Sequence, residues 1–159
     1  MTPPAPATAT VAFGRTLAQH WALASLMTCV TVLSARLSFH IPQTPVPVTL
    51  QVFAVLLSGL VCGRGWGLVA QAQYLLLGAC GLHVFAGGGF GAADLFGYTG
   101  GYLLSYPLAA CATAWIAGPP RDASYGKMAL ACAAGLAIIY GLGCAWFAAF
   151  THESLLGVV

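Results

Sequence analysis

The sequence predicts an all-α fold: a polytopic membrane helix bundle with five transmembrane helices. Three observations carry this expectation. Of the 159 residues, 60% are hydrophobic and 5% charged, whereas soluble domains carry roughly a quarter charged residues. Three acids and five Lys or Arg cannot cover a water-facing surface, and mean hydropathy is +0.89. Apolar runs approaching the roughly 20 residues that cross a hydrocarbon core of about 30 Å recur along the whole chain.

Taken in order, residues 1–14 open on "MTPPAPATATVA", Pro/Ala/Thr-rich and without a basic stretch leading into an apolar core. That composition predicts a disordered N-terminal tail rather than a signal peptide. Residues 15–159 form the transmembrane domain. The first span is His20–Phe39, closed by "HIPQTPVPV" at 40–48, whose three prolines forbid a continuous helix. The second and third, Val46–Cys62 and Gly67–Leu82, are short, which a helix inside a bundle tolerates. Residues 81–102, "GLHVFAGGGFGAADLFGYTGGY", hold eight glycines in twenty-two positions and read as a loop. The fourth span, Gly101–Gly118, stops at "GPPRDASYGK", and the fifth is Met128–Phe150.

Lys and Arg orient the spans. With the N-terminus in the cytoplasm, Arg15, Arg64, Arg121 and Lys127 fall inside and Arg36 alone lies near the outer side. The 40–48 and 83–100 loops then share the outer face.

A net charge of +2 offers no basic field for nucleic acid. The six cysteines are scattered without CxxC spacing, so neither a metal nor a redox site is expected. No HExxH, GxSxG or P-loop occurs, and "GGGFG" lacks the following Lys-Ser/Thr. The chain is therefore not expected to be an enzyme, to carry catalytic residues or to need a cofactor.

Polar side chains at membrane depth face a bundle interior. Gln51 lies in the second span, and Gln71, Gln73 and Tyr74 in the third, with positions 71, 74 and 78 on one helical face. Two readings stay open: glutamines that tie helices together, each bond worth about 1 kcal/mol, or amides that face a neutral ligand. Ala18/Ala22 and Ala24/Thr28 are small-xxx-small pairs in the first span, suited either to packing within the chain or to docking a partner.

"IPQTPVPVTLQ" (41–51), "YLLLGACGLHVFAGG" (74–88) and "GYTGGYL" (97–103) resemble, in order and spacing, the biotin-specific substrate-binding (S) components of energy-coupling factor (ECF) transporters, the BioY family. The resemblance runs from about residue 15 to about residue 150. It implies a six-helix bundle in the bacterial cytoplasmic membrane that binds biotin near its outer face. A transmembrane coupling protein and two cytoplasmic ATPases are the implied partners. Carried over motif by motif, the substrate-binding residues would be Thr49, Gln51, Tyr74, Val84, Phe85, Gly87, Gly88, Thr99, Gly100, Gly101 and Tyr102. Small residues of the first helix, Ala18, Ala22, Ala24 and Thr28, would dock the coupling protein.

Three departures are visible. His83 and Tyr98 stand where the family has proline. The family's sixth helix, with an acid and a lysine that contact substrate, has no counterpart here: "THESLLGVV" follows the fifth span, and Glu153 has no lysine after it. Weak or absent biotin binding by residues 1–159 alone is the resulting expectation. A non-transporting membrane scaffold and an S component for another small nutrient are the alternatives.

Overall fold

The computed structural model describes residues 16–39, 48–119 and 124–156, the side chains of 39, 48 and 152–156 excepted. The expected N-terminal tail, most of the Pro-rich loop and the Arg121–Asp122 turn lie outside the described residues, as does the side chain of Glu153. The elements are α1 (Leu17–Arg36), β1 (Ser38–Phe39), β2 (Val48–Thr49), α2 (Gln51–Cys62), α3 (Arg64–Ala79), a 3₁₀ turn (Ala86–Gly88), α4 (Gly91–Leu95), α5 (Gly100–Ala117) and α6 (Tyr125–Leu156).

Local chemistry accounts for where these elements begin and end, and it corrects the predicted spans. α1 starts three residues early because Thr16 and Gln19 form a capping box: the Thr16 hydroxyl accepts from the Gln19 amide, and the Gln19 side chain accepts from the Thr16 amide. It ends at Arg36, since residues 38–39 pair antiparallel with 48–49, Ser38 opposite Thr49. That pairing also shortens the second span, which begins at Gln51 rather than Val46. A single residue, Gly63, joins α2 to α3. Its φ of 84° with ψ of −179° is open to glycine alone, so the chain reverses there and α3 starts at Arg64. α6 runs 32 residues, well beyond the span expected at 128–150. The Gly-rich segment is not all loop, for it contains the 3₁₀ turn and the short α4.

Helix α5 is central, packing on α2, α3 and α6, while α1 leans on α2 and α3. Small residues set the crossings. A Cβ on Gly59 would stand 2.4 Å from the Ala110 carbonyl oxygen, so α2 and α5 approach backbone to backbone. On α6, Gly135 makes room for the side chains of Leu56 and Thr113, each 2.4 Å from where a Cβ would stand.

Polarity is distributed inside out. Gln51, Gln71, Ser58, Ser105, Thr31 and Thr113 are buried, while Leu26, Leu33, Phe53, Leu76, Leu108, Trp115 and Leu130 face outward. Two helices, Leu17–Arg36 and Tyr125–Thr151, are long and apolar enough to cross a membrane. Only 28% and 22% of their apolar windows is buried, so they are not core helices of a water-soluble domain. The helical membrane bundle expected from composition is what the chain forms.

Candidate functional site

At the end of the bundle where α1 and α3 finish and α2 and α5 begin, four elements bring polar side chains together. Thr49, at the end of β2, donates from its hydroxyl to Gln51 Oε1 at 3.1 Å. Gln51 opens α2 and points inward, and its Nε2 donates to Tyr74 Oη from α3. The Tyr74 hydroxyl in turn donates to the Val84 carbonyl at 3.2 Å. Gln51 and Tyr74 are 2% and 0% exposed, so the relay is buried from Gln51 inward, with Thr49 half-buried at its edge. Its geometry follows from the fold: Gln51 opens α2 one residue past the strand, after Leu50, and Tyr74 sits one turn and a little before the end of α3.

Aromatic rings pack round the relay. Phe85 meets Tyr74 edge to face, with centroids 5.6 Å apart, and Tyr106 of α5 stacks on its other side at 6.3 Å. Gly78, one helical turn beyond Tyr74, provides the seat for Phe85: a Cβ there would lie 2.1 Å from the ring. The segment 82–90 thus closes over the cluster, with Val84 and Phe85 buried beneath it. Gly87 and Gly88 take φ of 67° and 83° at the outer surface, which allows the tight turn.

Of the site residues expected from the sequence, Thr49, Gln51, Tyr74, Val84 and Phe85 come together here. Gly87 and Gly88 lie in the covering segment with open space where a Cβ would stand. The "TGGY" residues go elsewhere. Gly101 is filled by α6, since a Cβ there would stand 2.2 Å from Trp146 Cβ, while a Cβ on Gly100 would stand 2.3 Å from the Leu95 carbonyl oxygen. Tyr102 also faces α6, with its ring over Gly143 and its hydroxyl 3.4 Å from Cys144 Sγ. Thr99 precedes α5 without a side-chain capping bond. In this conformation the motif is a seat for α6, locked by Trp146 Nε1 donating to the Gly97 carbonyl at 2.9 Å.

The docking residues divide in the same way. Ala18 and Ala22 are exposed, whereas Ala24 and Thr28 are buried against α3. The Thr28 hydroxyl lies 2.8 Å from the Ala70 carbonyl and 3.0 Å from Gln73 Oε1. Gln71 donates to Thr31 at 3.2 Å and Ser58 at 2.9 Å, so Gln71 and Gln73 tie helices together, as one of the two open readings had it.

Sequence reasoning missed three participants. Tyr106 was marked only by its place one turn after Tyr102, beside the intrahelical Pro107. Trp146 lies in a uniformly apolar run. Arg36 had been counted for orientation, yet its guanidinium donates to the His83 carbonyl at 2.6 Å, next to the carbonyl that Tyr74 holds.

The fold is similar to that of a solved S-component for biotin from an ECF-type ABC transporter. The TM-score is 0.76 over 87% of this chain and 78% of that one, at 21% identity, a likeness of fold alone. A probable biotin transporter BioY of Pyrococcus horikoshii is 40% identical over 146 residues, 89% of this chain and 84% of that protein. The biotin transporter BioY of Thermotoga maritima is 42% identical over 130 residues, 82% and 75% of the two chains. The BioY family model matches residues 6–159. On a match of that extent, the chain belongs to the BioY family.

Proposed function

We propose that this chain binds biotin beneath the 82–90 segment and acts as the substrate-binding component of a biotin uptake system. The observation that carries the reading is the relay from Thr49 through Gln51 and Tyr74 to the Val84 carbonyl, buried under a Gly-rich cover. It offers planar amide and phenol groups without a formal charge, which match a ureido group's N–H donors and carbonyl acceptor. Phe85 and Tyr106 supply flat apolar walls for a fused ring. For a ligand to reach Gln51 and Tyr74, Val84 and Phe85 lift from their seats. The substrate-binding role of Thr99, Gly100, Gly101 and Tyr102 then requires α6 to shift, while Gly87 and Gly88 bend the cover over the ligand.

In this reading the protein is a transporter component rather than an enzyme and needs no cofactor. It lies in the cytoplasmic membrane with its N-terminus inside, supported by Arg64 and Lys127 at the end opposite the relay. A transmembrane coupling protein with two ATPases is the proposed partner, and of the small residues on α1, Ala18 and Ala22 face outward to meet it.

The test is equilibrium binding of radiolabelled biotin to the purified chain in nanodiscs, carried to millimolar ligand so that weak binding registers. The reading requires saturable binding that unlabelled biotin displaces and that Gln51→Leu weakens by about tenfold or more. Absence of saturable binding in the wild type refutes it. Displacement by another small nutrient but not by biotin reassigns the substrate.

A further inference from the structure

We infer that Arg36 is the specificity residue of this site, receiving the ligand's carboxylate on the guanidinium that also fastens the cover. The inference rests on the biotin reading and adds to it the group that recognises the charged end.

Arg36 closes α1 and is exposed, and one of its terminal nitrogens donates to the His83 carbonyl at 2.6 Å. Arginine carries five N–H donors in a rigid fork. Among the described residues, no carboxylate or second acceptor takes the others. Asp94, in α4 just after the covering segment, is engaged with the Phe90 amide at 2.7 Å. His83 and Val84 are consecutive, so Arg36 from α1 and Tyr74 from α3 hold adjacent carbonyls of one strand of the cover. The guanidinium and the buried relay are thus fastened to consecutive residues of the cover.

Charge placement points the same way. The cations among the described residues are Arg36, Arg64 and Lys127, and the last two belong to the far end of the bundle. Thr49, Gln51, Tyr74 and Tyr106 can hydrogen-bond a neutral head but give a carboxylate no counter-charge, which is costly to leave unmet near an apolar interior. A planar fork at the rim, with donors that no described residue takes, meets a carboxylate by paired N–H bonds. Because the same group holds His83, binding of the charged tail and closure of the cover reinforce each other.

The test compares biotin with biotinamide, identical except that the tail is neutral, on wild type, Arg36→Gln and Arg36→Lys in nanodiscs. Gln preserves a donor for the His83 carbonyl and removes the charge, whereas Lys keeps the charge and loses the fork. Wild type is expected to prefer biotin by about 10- to 100-fold, the range of a charge-assisted pair. Arg36→Gln should bring that ratio near one while affinity for biotinamide stays within about threefold, and Arg36→Lys should retain part of the preference. An unchanged ratio in Arg36→Gln, or equal loss of both ligands in both variants, overturns the assignment and leaves Arg36 a structural latch. Wild type that binds biotin and biotinamide alike overturns it too. If wild type binds neither, the biotin reading itself falls and takes this inference with it.

Discussion

Replacing Gly78 with alanine places a methyl group 2.1 Å from Phe85 Cζ, and 2.3 and 2.7 Å from the two Cε atoms. No rotation of an aromatic ring clears three such contacts, so Phe85 must leave its seat. The ring is 2% exposed, and losing that burial costs about 1.5–3 kcal/mol. Its edge-to-face contact with Tyr74 is worth roughly a further 0.5–1.5 kcal/mol. Against this, alanine in a helix interior is favoured over glycine by about 1 kcal/mol. The net expectation for Gly78→Ala is a loss of about 1–3 kcal/mol. In a Phe85→Ala background nothing opposes the methyl, and the same substitution should become neutral or stabilise by up to about 1 kcal/mol. Reversible unfolding in mixed dodecylmaltoside–SDS micelles, run on all four corners of the cycle, reads this reversal of sign. If Gly78→Ala is destabilising by the same amount with and without Phe85, the seat is not what holds the cover down, and the reasoning fails.

Further outcomes follow from the same structure. Gln71→Leu should change stability by less than about 1 kcal/mol. Its Oε1 has no partner, and the Thr31 and Ser58 hydroxyls already donate to Met27 and Val55 carbonyls. Tyr74→Phe, by contrast, strands the Gln51 amide and should cost about 1–3 kcal/mol in the same assay. Gly101→Val should cost about 3 kcal/mol or more in thermal unfolding, since neither Trp146 Cβ nor the Leu142 carbonyl oxygen 2.9 Å away can swing aside. Gly141→Ala, with no heavy atom within 4 Å of the new carbon, is the control and should be neutral or stabilise by up to about 1 kcal/mol. Finally, Ala24→Leu should impair folding, whereas Ala22→Leu should leave thermal stability and ligand binding intact and abolish co-purification with a coupling protein.

Composition and the length of the apolar runs were enough for the class of the fold, because lipid as solvent admits only helices and closed barrels, and runs approaching twenty apolar residues fit helices. Glycine and proline placed most of the chain reversals within a few residues. Half of the candidate site was also readable: Thr49, Gln51, Tyr74, Val84 and Phe85 lie in the motifs that carry the family resemblance, and they meet in space. Their common cause is chemical, since a glutamine or tyrosine in a membrane helix must find a polar partner, and few are on offer.

Which face each residue presents was beyond the pattern. In a water-soluble helix an apolar stripe marks the buried side. Here nearly every face is apolar, so Ala18 and Ala22 look like Ala24 and Thr28 until α3 is laid beside one pair and not the other. For the same reason the pattern could not show that Gly101 packs on Trp146, forty-five residues along, or Gly100 on the Leu95 carbonyl. Arg36 and His83 are 47 positions apart, and the bond between them exists because α1 and the segment after α3 end at one level. Residue types announced that the interior would hold polar partners. Packing among helices chose which ones, because in an apolar solvent close contact, not hydrophobicity, decides what faces what.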